Sequence, residues 1–152
     1  MDNRHDILRL LRQVAEGTVP PEEALSQLKR APFEDLGYAK VDLHRGVRQG
    51  AAEVIYGAGK TPEQIAGIAA AMGERGCQNV LITRLSPEAA ELVGRIVPLD
   101  YHPIPRLAVA FPGPRNALGH IVVATGGTSD MPVAEEAALT AEVLGNRVTR
   151  LY

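Results

Sequence analysis

Two stretches of this chain repeat one local plan. Val54-Ile55-Tyr56 leads through a loop into Thr61-Pro62-Glu63, and Val80-Leu81-Ile82 leads through a loop into Ser86-Pro87-Glu88. Each begins with a short apolar run that suits a buried strand. A hydroxyl residue able to cap a helix follows, then proline at the first helical position, where its missing N–H costs nothing. A glutamate in the first turn completes the plan, where the helix dipole favours negative charge. Strand–helix units repeated in this way argue for an α/β fold built on a small parallel sheet.

The neighbouring segments fit around these units. From Asp6 to Glu16, Ile7, Leu8, Leu10, Leu11, Val14 and Ala15 recur at helical spacing, and Gly17 stops the pattern. A second helix starts near Pro20-Pro21-Glu22-Glu23 and turns Ala24, Leu25 and Leu28 inward, so residues 1–31 read as a helical hairpin, either a cap or an arm for another subunit. Pro32 to Gly37 reads as a turn, Tyr38 to Val41 as a strand and Leu43 to Gln49 as a short helix. Beyond them the pattern predicts strands at Glu53–Tyr56, Asn79–Thr83 and Arg106–Phe111, with helices at Thr61–Met72 and Pro87–Ile96. Residues 32–111 thus form one α/β domain. The Pro- and Gly-rich residues 112–119 read as a linker. Residues 120–152 read as strand, turn, helix (Met131–Leu144) and strand (Arg147–Tyr152), a single βαβ unit. One such unit cannot make a doubly wound sheet, so the expectation is a second domain present only in part.

Composition excludes several classes. The 152 residues carry a net charge of −2, which offers no general attraction to nucleic acid or to an anionic membrane. No apolar run approaches the roughly 20 residues of a membrane span, and the start, Met-Asp-Asn-Arg-His-Asp, is not a secretory signal. A single cysteine precludes an intrachain disulfide and fits a reducing cytoplasm.

Three places carry functional groups. Gly57-Ala58-Gly59-Lys60-Thr61 sits between a strand and a helix, but the Walker pattern needs glycine where Val54 stands, so a P-loop is disfavoured. What remains open is a looser anion site or an ordinary capped turn. With Asp42 as N-cap, Leu43, Val47 and Ala51 line one helix face, while His44, Arg45 and Arg48 gather on the other. Such donors suit a carboxylate or a diphosphate, and a solvated face is the alternative. Ile121-Val122-Val123-Ala124 then runs into Gly126-Gly127-Thr128-Ser129-Asp130. The glycines permit close approach, the hydroxyls can donate to phosphate, and the carboxylate can accept from ribose. Cys77 has no neighbouring histidine and reads as structural. His5, His102 and His120 have no metal-binding spacing, and Glu135-Glu136 is explained by the helix dipole.

Phe33 to Arg45, then Glu53 to Gln64, then Thr125 to Asp130 followed by Pro132-Val133-Ala134-Glu135-Glu136-Ala137, closely resemble the LarB family. LarB is the carboxylase/hydrolase of nickel-pincer cofactor biosynthesis, related to the purine-pathway aminoimidazole ribonucleotide carboxylase/mutase, PurE. The resemblance spans essentially the whole chain. It implies that residues 120–152 begin a PurE-like, flavodoxin-like three-layer domain. It also implies the substrate nicotinic acid adenine dinucleotide, with carbon dioxide as co-substrate and no covalently held cofactor. The pyridinium ring is carboxylated at C5 and the diphosphate is hydrolysed to release AMP. A cationic ring is a poor nucleophile until something adds to it, and in the family a cysteine is that nucleophile. The resemblance puts this cysteine beyond Tyr152 and does not give its role to Cys77.

Gly126 to Asp130 matches the family's Gly-Ser-x-Ser-Asp substrate loop and departs at Gly127, where one hydroxyl contact is lost. Asp42, His44, Arg45, Arg48 and the loop of Gly57, Gly59, Lys60 and Thr61 belong to a domain PurE lacks. They are the candidates for the diphosphate or AMP half. The expectation is a fragment of a cytoplasmic enzyme, inactive by itself, homo-oligomeric when full length, with the need for Mg2+ open. Two other readings stand beside it: a PurE-like mutase acting on carboxyaminoimidazole ribonucleotide, and a non-catalytic nucleotide-binding or oligomerisation module.

Overall fold

Both proline-led helices begin where their hydroxyl residues stand. In the computed structural model, which describes residues 3–30, 33–35, 37, 39–42, 54–115 and 117–152, Thr61 Oγ1 accepts the Gln64 amide at 3.3 Å. Gln64 Oε1 in turn accepts the Thr61 amide at 3.0 Å, closing a reciprocal cap. Ser86 Oγ accepts the Ala89 amide at 3.2 Å. The helices these caps open are Pro62–Glu74 and Pro87–Gly94.

In chain order the described elements are α1 (Asn3–Ala15), α2 (Pro21–Arg30), β1 (Phe33–Asp35), β2 (Lys40–Asp42), β3 (Val54–Tyr56), α3 (Pro62–Glu74), β4 (Val80–Thr83), α4 (Pro87–Gly94), β5 (Leu99–His102), β6 (Leu107–Ala110), β7 (Gly119–Ala124), α5 (Met131–Val143) and β8 (Asn146–Leu151). A single 3-10 turn, Thr128–Asp130, leads into α5. The α/β class follows from the sequence. The direction of the strands needs correcting, because the central sheet is mixed. Its order is β3-β4-β6-β5, with β3 parallel to β4 but β6 antiparallel to both β4 and β5. The unexpected strand is β5, which forms a hairpin with β6 through the turn Pro103-Ile104-Pro105-Arg106. Phe33–Asp35 is likewise a strand rather than part of a turn: it pairs antiparallel with β2, with Gly37 at φ +80° between them. The expected helix Leu43–Gln49 lies outside the described residues.

Side-chain alternation divides the core between the two faces of the sheet. Val80, Ile82, Ala108 and Ala110 point to one face, where Ile65, Ile68, Ala69 and Met72 of α3 and Ala89, Ala90 and Val93 of α4 cover them. Leu81, Leu107 and Val109 point to the other, where Leu139 and Val143 of α5 pack on them. All four residues of β6 are fully buried, as expected for an inner strand covered on both sides. Helix α5 also crosses β7 and β8, which pair in parallel from Gly119↔Asn146 to Ala124↔Leu151. It therefore lies between two sheets and presents a side to each.

Two measurements follow. Leu139→Ala removes the main α5 contact with the sheet and is expected to lower stability in urea by about 2–5 kcal/mol. Leu144→Ala, at a half-exposed position just past the helix, is expected to change it by less than about 0.5 kcal/mol. Glu63 and Glu88 accept hydrogen bonds from their own amides and from the Thr61 and Ser86 hydroxyls, and both carboxyls are held below their ordinary value. Their contribution is therefore complete above pH 4.5, the ordinary value, and fades as pH falls through the depressed folded values. The double variant Glu63→Gln/Glu88→Gln is expected to show a shallower acid limb in a plot of Tm against pH.

Candidate functional site

The turn after β3 is heavily committed to the fold. A Cβ at Gly57 would stand 2.7 Å from the Thr83 carbonyl oxygen, so β3 and β4 approach closely only because this residue is glycine. The Gly57 amide donates to that same oxygen at 2.8 Å. Gly59 takes φ +78°, a left-handed conformation that glycine accepts without strain. The Lys60 ammonium folds back on the Tyr56 carbonyl at 2.9 Å, and the Lys60 amide donates to the Gly57 carbonyl at 3.1 Å. The Thr61 hydroxyl and amide are both taken by the helix cap. Both glycines thus have structural causes, and Lys60 is the group that can turn outward to a ligand.

A different situation holds at residues 126–130. This turn follows β7, whose ladder ends with the Thr125 amide donating to the Leu151 carbonyl at 2.9 Å. Gly127 has extended backbone, φ −164°, which any residue adopts. Beside Gly126 nothing lies within 4 Å of where a Cβ would stand, and beside Gly127 the nearest atom is Ser129 Oγ at 3.9 Å. Neither backbone conformation nor crowding demands glycine here. Thr128, Ser129 and Asp130 are exposed, and none of their side chains caps the 3-10 turn or α5.

One ion pair brings the two turns to the same edge. Arg84, which follows β4 at φ +56°, reaches Glu136 of α5 at 3.4 Å. Leu139, one turn further along, packs into the cluster that Leu81 of β4 forms with Leu107 and Val109. Helix α5 therefore runs antiparallel to β4, and its N-terminus faces the edge at which β3 and β4 end. Ligands of open α/β sheets collect at this carboxyl edge. Arg106, at φ +50°, stands there too, its carbonyl accepting the Leu85 amide at 2.8 Å. The left-handed Asn79 and Phe111 close the opposite end of the β4–β6 ladder in the same way, the Asn79 amide donating to Phe111. The unusual conformations of Arg84 and Arg106 thus have a structural cause.

Of the remaining sequence candidates, Asp42 ends β2 opposite Phe33, and His44, Arg45 and Arg48 lie outside the described residues. Cys77 is half-buried against the core, and burial raises its thiol above the ordinary value. Glu135 and Glu136 do more than face a helix dipole. Glu136 holds Arg84, while Glu135 and Glu142 grip the half-buried Arg150 of β8 from the same helix. The hydrogen bonds it donates to Glu142 and then to Glu135 hold the guanidinium above its ordinary value. Sequence spacing hinted at one part of this clamp, since Glu135 and Glu142 are seven apart and share a helix face. Their partner on β8 could be found only in three dimensions. Among the described residues no three His, Cys, Asp or Glu side chains gather into a metal-binding group.

Arg150→Met leaves two carboxylates facing each other without their cation and is expected to cost about 2 kcal/mol in urea unfolding, with partial recovery in Arg150→Lys. Cys77 is expected to react with iodoacetamide at least about tenfold more slowly than a peptide thiol at pH 8. A rate equal to the peptide's would show an activated nucleophile.

Residues 33–111, more than half of the chain, match the LarB/PurE-like N-terminal domain. An uncharacterized protein of Methanocaldococcus jannaschii is 28% identical over 155 aligned positions, which cover 94% of this chain and 59% of that relative. The chain thus spans about three fifths of the length of the curated relative it matches. With its proline-capped α/β core lying within residues 33–111, the chain belongs to the LarB/PurE-like family.

Proposed function

We propose that this chain is the substrate-binding N-terminal part of a LarB-type enzyme of the cytoplasm. The full-length protein would carboxylate the pyridinium ring of nicotinic acid adenine dinucleotide at C5 and hydrolyse its diphosphate, releasing AMP. Membership of a PurE-like family points to carboxylase or mutase chemistry in full-length members. The observation that carries the reading to this chain is the open space beside Gly126 and Gly127, next to side chains that neither cap a helix nor pack. Glycine lets a diphosphate approach the backbone, the Thr128 and Ser129 hydroxyls donate to its oxygens, and Asp130 accepts from ribose hydroxyls. Lys60 exchanges the Tyr56 carbonyl for an anionic oxygen, a stronger partner for an ammonium. In this reading Asp42, His44, Arg45 and Arg48 serve the AMP half.

No helix among the described residues is long and apolar enough to cross a membrane.

Calorimetry on the 152-residue chain tests the reading. The expected order of affinity is nicotinic acid adenine dinucleotide above AMP. Gly126→Val and Ser129→Ala are each expected to weaken dinucleotide binding about tenfold, equivalent to one lost charge-assisted hydrogen bond. A Cβ at 126 has nothing within 4 Å, so the melting temperature of Gly126→Val is expected to stay within a degree or two of the wild type. Dinucleotide affinity unmoved by either substitution contradicts the assignment. Binding of carboxyaminoimidazole ribonucleotide in place of the dinucleotide favours the mutase reading.

A further inference from the structure

Arg84 stands between the two turns of the carboxyl edge. Its carbonyl oxygen would lie 3.2 Å from a Cβ at Gly57, so its backbone rests against the first turn. Its guanidinium reaches from there to Glu136 of α5 by one contact, Nη1 to Oε2 at 3.4 Å. That carboxylate is its ion-pair partner among the described residues. A guanidinium carries five N–H donors arranged to grip two oxygens at once, and a single long contact leaves most of them unused. The two side chains are 55% and 25% exposed, and a pair so open to water contributes little to stability. The other arginine of the edge is differently placed, since Arg106 has the Glu88 carboxylate within electrostatic reach.

Helix geometry gives the distance to the second turn. Glu136 follows Met131, the first residue of α5, by five positions, which is about 7.5 Å along the axis. Leu139 anchors the helix one turn further along, so the stretch before Glu136 leads past the strand ends toward residues 126–130. A ligand on that turn and an Arg84 released from Glu136 approach each other across this gap. The exchange is balanced in charge. The guanidinium gives up one weakly held carboxylate and takes an anionic group able to use its fork.

We propose that Arg84 binds an oxyanion of the ligand seated at Gly126 to Asp130, and that Glu136 holds its place until that ligand arrives. This role rests on the reading of the turn as the dinucleotide site. In the dinucleotide the oxyanion is the diphosphate or the carboxylate of the pyridinium ring, two sources of the same chemistry.

Calorimetry with nicotinic acid adenine dinucleotide on the 152-residue chain tests this through two variants that break the same ion pair. Arg84→Met removes the ligand's partner and is expected to weaken binding about tenfold. Glu136→Gln removes the competitor and is expected to tighten binding about threefold, an effect that disappears when Arg84 is already Met. A purely structural ion pair would move both variants in the same direction. Nicotinamide adenine dinucleotide, which keeps the diphosphate but lacks the carboxylate, identifies the oxyanion. Loss with both ligands in Arg84→Met assigns the diphosphate, and loss with the nicotinic acid form alone assigns the carboxylate. Weaker binding in Glu136→Gln overturns the proposal, as does tightening that persists in Arg84→Met/Glu136→Gln. So does an Arg84→Met affinity equal to the wild type while Ser129→Ala weakens binding, an outcome that leaves the dinucleotide site itself intact. Affinity unmoved by Ser129→Ala as well would remove that site, and the role of Arg84 with it.

Discussion

The packing of α5 on the central sheet is the contact on which the rest of this architecture depends. Leu139 and Val143 close the face formed by Leu81, Leu107 and Val109, and without them β4 and β6 would expose three large side chains to water. Burying each such side chain contributes about 1.5–3 kcal/mol, far more than a half-exposed ion pair such as Arg84–Glu136. The leucine contact therefore supplies the energy, and the ion pair marks the direction in which the helix runs. That direction sends the N-terminus of α5 toward the edge where β3 and β4 end.

Function on this edge divides along a physical line. At residues 57–61 nearly every polar group is engaged by the fold, and each glycine has a cause in crowding or dihedral angle. At residues 126–130 the glycines have no such cause and the polar side chains cap nothing. A turn that satisfies itself needs no ligand. Open, polar and glycine-lined, the second turn is the better place for one. The lysine of the first loop is likewise drawn back onto a carbonyl.

What could be read from sequence was local. The Thr61-Pro62 and Ser86-Pro87 starts predict both caps because the capping bonds span three residues and depend on nothing distant. The βαβ unit formed by β7, α5 and β8 follows from its β-branched run and helical period. Strand β5 escaped because Leu99 to His102 is short, polar at Asp100 and His102, and bracketed by Pro98 and Pro103. Those residues read as a loop until β6 supplies the pairing partner. Likewise, Ala108 and Ala110 announce no preference, yet their small size lets α3 and α4 come close to the sheet. The Arg150 clamp and the Arg84–Glu136 pair join residues far apart along the chain, and no periodicity encodes them.

We propose that the turn at Gly126 to Asp130, rather than the turn at Gly57 to Thr61, is the primary ligand-facing element of the carboxyl edge. Amide chemical shifts of the isotopically labelled 152-residue chain, followed during titration with nicotinic acid adenine dinucleotide, measure this residue by residue. The largest shifts are expected at Gly126, Gly127, Thr128, Ser129 and Asp130, with smaller ones at Lys60. Shifts confined to Gly57 through Thr61, or absent from both turns at saturating dinucleotide, would contradict it.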